Sequence, residues 1–119
     1  MGNKHKAKGT SFETLIKEYL WSKGFTKARR TALAGAGDTG DVNGIENDKR
    51  QVCIQCKNDK SFNFSGWLND TVQQAERLSG ALPVLVVKRQ GKGAKAVGES
   101  YAVMRLDDLV DLLGEAKYT

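Results

Sequence analysis

The segment GDVNGIENDKRQVCIQCK, residues 40–57, decides how this chain folds. Its second half, Gln51–Lys57, alternates in polarity and is rich in β-branched and small apolar residues, so it reads as a strand. Side chains on a strand point alternately to its two faces. Val52, Ile54 and Cys56 therefore share one face, apolar enough to pack on a helix, while Gln55 and Lys57 set an amide beside an ammonium on the other. Val42–Ile45 reads as a short preceding strand, and Asn47-Asp48-Lys49 as the turn between them. Hairpin-like pairing of the two would bring the Asp41 carboxylate to the Gln55–Lys57 face.

Those residue types suit a hard cation, which takes oxygen ligands. Asp41 offers a charged oxygen, Gln55 a neutral one, and the backbone carbonyl of Cys56 a third. Water and a scissile phosphate would complete the octahedral shell of Mg²⁺, with Mn²⁺ as a substitute. Lys57, at the strand end, is placed to hold and polarise an attacking water or to stabilise charge on phosphoryl oxygens. The only histidine is His5, in the N-terminal tail, so no Ser–His or Cys–His pair is on offer and covalent nucleophilic catalysis is disfavoured.

Outward from this segment, Phe12, Leu15, Ile16, Tyr19 and Leu20 follow a helical period and predict a helix from about Ser11 to Lys23. Thr10 and Glu13 fit a capping box at its start, and Gly24 a terminator. Residues 1–9 read as a flexible basic arm. Phe25–Leu33 reads as a strand with Arg29 and Arg30 outward, and the Gly-rich residues 32–44 as largely irregular. Residues 58–66 form a polar loop with two aromatics, Phe62 and Phe64. A second helix is expected over Trp67–Ser79, with Leu68, Val72, Ala75 and Leu78 on its packed side and Gln74 a candidate to face the site. Val84–Val87, after Pro83, reads as a strand buried on both faces. A basic loop, 88–99, leads to a hairpin partner at Tyr101–Met104 and a last helix over Leu106–Leu113. The order α-β-β-β-α-β-β-α, with a helix crossing between strands, predicts an α/β fold: a central mixed sheet flanked by helices, in one domain over residues 10–119.

At 119 residues the chain has single-domain length and buries roughly two-thirds of its unfolded surface. It has no run of eighteen apolar residues, and no apolar stretch follows the basic N-terminus, so a cytoplasmic location is expected. The net charge is +5, and the first thirty residues carry eight Lys or Arg against two Glu. Clustered cations bind nucleic acid by releasing counterions from phosphates. Lys4, Lys6 and Lys8 in the arm, Arg29 and Arg30, and Lys88, Arg89, Lys92 and Lys95 in the late loop are the candidate DNA contacts. Cys53 and Cys56 make a CxxC, but a structural zinc needs about four ligands. A thioredoxin-type pair opens a helix, whereas these two lie on opposite faces of a strand.

Glu13, Gly40-Asp41-Val42 and Val52–Lys57, in that order, resemble the PD-(D/E)xK nucleases, and among them the archaeal-type Holliday junction resolvases and their virus-encoded relatives. The resemblance runs from about Lys8 to Val87. It implies a restriction-endonuclease-like fold and a catalytic set of Glu13, Asp41, Gln55 and Lys57, with Glu13 joining Asp41 and Gln55 as a metal ligand. It also implies a homodimer that resolves four-way DNA junctions by symmetric hydrolysis, in recombination or repair. Gln55 stands where that family more often has Glu, which removes a negative charge from the metal site unless Asp38 or Glu13 compensates. A non-catalytic DNA-binding module, or a nuclease for nicks, flaps or single strands, is the alternative.

Overall fold

The computed structural model describes residues 3–31 and 37–118, with side chains from Lys8 onward. Its sheet is built around the quoted segment. Strand β2 (Val42–Asn43) turns back through Asn47, whose side-chain oxygen accepts from the N–H groups of Lys49 and Arg50, each at 2.9 Å, into β3 (Val52–Lys57). β1 (Arg29–Arg30) lies antiparallel on the other side of β2, and β4 (Leu82–Val87) lies parallel to β3. β5 (Tyr101–Val103) pairs antiparallel with β4, giving the order β1-β2-β3-β4-β5. The sheet is therefore mixed, as expected. The parallel pair is joined by helix α2 (Phe64–Arg77), the crossover that parallel strands require.

Alternation along β3 divides the core in two. Val52, Ile54 and Cys56 pack with Phe12 and Ile16 of helix α1 (Asn3–Ser22), together with Val42 and Ala28. On the opposite face Cys53 packs with Ala75 and Leu78 of α2. The two thiols are free, buried and on opposite sides of the sheet, which excludes a shared metal or disulfide role for the CxxC. Helix α3 (Leu106–Glu115) follows β5 and is held by an ion pair between Arg50 and Glu115 at 3.1 Å.

Several boundaries differ from the sequence reading. α1 begins at Asn3, so residues 3–9 of the presumed arm are helical, and Thr10 lies inside the helix instead of capping it. Lys and Ala favour helix strongly enough to carry the element through Gly9. The side chains of Lys4 and Lys6 lie outside the described residues, as do positions 32–36. α2 starts at Phe64 because Asn63 caps it, its oxygen accepting from the Gly66 N–H at 3.1 Å. Its buried residues are Thr71, Gln74 and Ala75, a face rotated from the expected Leu68 and Val72. β4 includes Pro83. Leu82 donates its N–H to Gln51 on the β3 side, so the ring of Pro83 faces the side where β5 has already ended. Within the basic loop, Ala94–Glu99 forms a 3₁₀ turn.

Phe12 is 2% exposed and joins α1 to the sheet. Phe12→Ala is expected to cost about 3–5 kcal/mol of stability. The check is a lower urea midpoint with an unchanged slope, and a loss well below this range would mean α1 is not anchored there.

Candidate active site

Asp41 is fixed from three sides. Its backbone N–H donates to Ile54 of β3 at 2.8 Å, and its carbonyl accepts from Thr31 at 2.9 Å. Its carboxylate oxygen Oδ2 accepts from the backbone N–H of Cys56 at 2.8 Å. The preceding residue has to be glycine. Gly40 has φ +99, and a Cβ there would lie 2.8 Å from Cys53 Sγ and 3.1 Å from the Ile54 carbonyl. The loop ahead of it is tied to α2. Asp38 Oδ1 accepts from the Gly40 N–H at 2.9 Å, Asp38 Oδ2 from Gln74 Nε2 at 3.1 Å, and its carbonyl from Arg77 at 3.1 Å. Asp38 and Gln74 thus meet each other, and both Asp38 oxygens are occupied in holding the loop.

Glu13 sits one residue beyond the core side chain Phe12 on α1, and Arg30 of β1 pairs with it at 3.4 Å. Burial raises the proton affinity of the Glu13 carboxyl and the charge of Asp41 raises it further, while Arg30 opposes the rise. Burial likewise raises Asp41. The Cys56 hydrogen bond pulls down, Asp38 pushes up, and Lys57 and Arg30 pull down. The Cys56 thiol is pushed well up by burial and by the charges of both Asp41 and Glu13. Cys56 thus feels both carboxylate charges, and Asp41 feels the Lys57 charge. Cys56 meets Asp41 through its amide N–H. Cys53 is pushed up to about 12 by burial, with Asp38 and Asp41 adding to it, so it is an inert thiol.

Gln55 and Lys57 share the α2 face. The Lys57 ammonium lies over the Trp67 ring at 5.7 Å from its centroid, and the Gln55 amide lies within hydrogen-bond reach of the Thr71 hydroxyl. Thr71 also reaches the Trp67 carbonyl at 2.8 Å. A hydroxyl has one proton to give. Given to Gln55, it closes the amide oxygen; given to the Trp67 carbonyl, it lets Thr71 accept from the Gln55 amide nitrogen and turns the amide oxygen toward the site. Trp67 and Thr71 were not among the sequence candidates. Their signal was the i, i+4, i+7 spacing of Trp67, Thr71 and Gln74, a polar stripe on the helix face that meets β3.

Among the described residues no three His, Cys, Asp or Glu side chains gather around one point. The donor set still fits a divalent cation. Two half-buried carboxylates whose proton affinities are raised by burial, Glu13 also by the charge of Asp41, are relieved by positive charge, and neutral oxygens, water and phosphate supply the other ligands. The candidate DNA contacts flank this centre. Arg29 and Arg30 are exposed on the edge strand β1. Toward the other edge, Lys88, Arg89 and Lys92 line a shallow groove with Phe12, Leu15 and the 3₁₀ turn. Arg89 and Lys92 both pair with Glu99, at 3.2 and 3.6 Å, and Lys95 is exposed. Lys8, on α1, is half-buried.

A carboxyl with higher proton affinity in the folded state than in the unfolded one weakens the fold as pH rises through the interval between the two values. Asp41→Asn removes that cost and keeps an oxygen for the Cys56 N–H. The variant is expected to melt above the native protein at pH 7, with the gap closing as pH falls through the ordinary carboxylate range. A variant that melts lower at pH 7 would mean that the charged hydrogen bond outweighs burial.

The restriction endonuclease family model Mrr_cat matches residues 5–82, from α1 to the start of β4, a span that holds Glu13, Asp41, Gln55 and Lys57. Comparison with curated proteins and with solved structures gave no match. With more than half its length matched, the chain belongs to the restriction endonuclease family of the PD-(D/E)xK superfamily, and its mixed sheet with flanking helices is a restriction-endonuclease-like nuclease fold.

Proposed function

We propose that the protein is a divalent-metal-dependent DNA endonuclease acting on branched DNA, with Glu13, Asp41, Gln55 and Lys57 as its working residues. The observation that carries the proposal is the Asp41 carboxylate held at 2.8 Å by the Cys56 amide of the strand that bears Gln55 and Lys57, near enough to Lys57 and Glu13 for charge to be felt between them. A bound Mg²⁺ or Mn²⁺ would polarise a phosphoryl oxygen and lower the pKa of a water. Asp41 and Glu13 supply the charged oxygens for it, and Gln55 a neutral one when its amide oxygen faces the site. Lys57, steered by the Trp67 ring, stabilises negative charge as it grows on the phosphoryl oxygens. Cations at both ends of the sheet favour binding by backbone and shape, with strong salt dependence. Four-way junctions are the branched substrate suggested by the sequence resemblance.

A junction has two strands to cut, and a C₂ dimer would present two such sites to it. The support for a dimer is α3, which leaves Leu106 73% and Val110 57% exposed, one turn apart on the helix. Among the described residues no helix is long and apolar enough to cross a membrane.

A second reading, a DNA-binding module without cleavage, draws on one observation: the Gln55 amide oxygen is closed when Thr71 donates to it. Incubation of the protein with a synthetic four-way junction separates the two. Paired symmetric nicks that need Mg²⁺ or Mn²⁺ and vanish with chelator are expected. Asp41→Asn should abolish cutting and leave junction binding nearly intact, and Lys57→Ala should slow cutting by about 100- to 1000-fold. Binding without nicks under either metal would overturn catalysis, and equal cutting of linear and branched DNA would overturn the junction preference.

Val110→Glu tests the dimer. Sedimentation is expected to show a dimer for the native chain and a monomer for the variant, and a native monomer would end this part of the proposal.

A further inference from the structure

Phe62, Phe64 and Tyr101 form an aromatic cluster on the outside of the molecule. The Phe62 and Phe64 rings stack with centroids 5.1 Å apart, and Tyr101 meets them edge-on at 6.0 and 6.4 Å. Each still exposes a large part of its surface: 43% for Phe62, 39% for Phe64 and 40% for Tyr101. Single exposed apolar residues are ordinary, but three contiguous aromatics make a patch of the kind that marks a binding surface.

Strand register fixes where this patch stands. Lys57 pairs with Val87, and Val87 with Tyr101, so the three occupy one row across β3, β4 and β5. Residues paired across strands share a face. Tyr101 is therefore on the same face as Lys57 and Gln55, two strands or about 10 Å from Lys57. Phe64 opens α2, and one turn further along the same helix Trp67 underlies the Lys57 ammonium. Aromatic surface thus runs outward from the proposed cleavage centre.

Cations accompany it. The Arg89 guanidinium lies 5.6 Å from the Tyr101 ring centroid, and Lys60 is exposed in the loop that carries Phe62. Of the acidic residues nearby, Glu99 is paired with Arg89 and Lys92, and Asp59 is exposed beside Gln90, which bonds its carbonyl. Aromatic faces beside a track of cations are how proteins hold unpaired strands, because every base has a π face. In a continuous duplex those faces are stacked on one another and out of reach. Only a base that has lost its neighbour offers one.

We propose that Phe62, Phe64 and Tyr101 are a stacking platform for an unpaired nucleobase of the DNA substrate, a short way along the strand from the cleavage centre. The proposal rests on the nuclease reading and deepens it by naming the substrate class: DNA with unpaired bases near the cut, as at a branch, a flap or a frayed end.

The test uses the full chain in chelator, so that nothing is cut. Three probes share one sequence: a blunt duplex, the duplex with an unpaired bulge carrying 2-aminopurine, and the single strand carrying the same base. Phe62 lies in a loop, and the variants are Phe62→Leu, which keeps apolar bulk without a π face, and Phe62→Trp, which restores one. The native protein is expected to bind the bulged and single-stranded probes more tightly than the blunt one and to quench 2-aminopurine. Phe62→Leu should weaken those two probes about tenfold, lose the quenching and leave blunt-duplex binding unchanged, and Phe62→Trp should recover both. Loss of all probes alike, or of none, overturns the platform. A change in sedimentation of Phe62→Leu without loss of quenching makes the patch a protein contact and also overturns it. Equal native binding to every probe, with metal-dependent cutting of the blunt duplex, removes the platform and leaves the nuclease reading standing. Failure to bind any DNA removes both.

Discussion

The site depends on one hydrogen bond, from the backbone N–H of Cys56 to the Asp41 carboxylate. β2 pairs with β3 only at Val42 and Ile54, and Asp41 extends that ladder by one residue, first with its own N–H to Ile54 and then with its side chain. The carboxylate takes the place of a missing strand. A buried strand N–H needs an acceptor, and a charged one gives the stronger bond. The same bond places a negative charge where burial and Asp38 both disfavour it. Raised proton affinities there mean that stability has been given up to hold charge, a common mark of a functional centre.

The two faces of β3 divide the work. The α1 face is an apolar core, and Phe12 within it sets the position of Glu13. The α2 face is polar where it meets Gln55 and Lys57, with Thr71 fully buried against the strand. One helix therefore delivers a carboxylate by packing and the other orients an amide and an ammonium by hydrogen bond and ring. The Glu13–Arg30 pair is long, and Arg30 is substantially exposed, so solvent screens it and it adds little stability. Its effect is on where Glu13 points.

β3 was the most legible element, because strict alternation leaves one register that buries its apolar face. The turn at Asn47 and the element order were legible for the same local reasons. Helix starts were not. Thr10 and Glu13 make a sound capping pattern, but a cap acts only where a helix begins, and this one begins earlier. The packed face of α2 was misread because apolar residues were taken as the guide, whereas the strand facing it is polar at Gln55 and Lys57 and draws Thr71 and Gln74 inward. The Asp38–Gln74 contact spans 36 positions, and no local pattern encodes it. Asp41, Gln55 and Lys57 followed from strand geometry, but as a catalytic residue Glu13 followed only from family resemblance, since it lies on α1 and its partner Arg30 is 17 positions away on β1.

The neutral residue at position 55 follows from the charges around it. Asp41 already feels the carboxylate of Asp38, and Glu13 that of Asp41, with Lys57 and Arg30 as the opposing cations. A glutamate at 55 would be a further buried negative charge on the same strand, and the hydroxyl of Thr71 alone would not compensate it. Buried like charges raise each other's proton affinity until one of them is neutral. An amide supplies the oxygen without that penalty and does not push Glu13 and Asp41 up further. The substitution lowers the charge offered to a cation but adds nothing to the raised proton affinities of the two groups that would bind it. The departure from the more frequent glutamate is therefore compatible with a working centre.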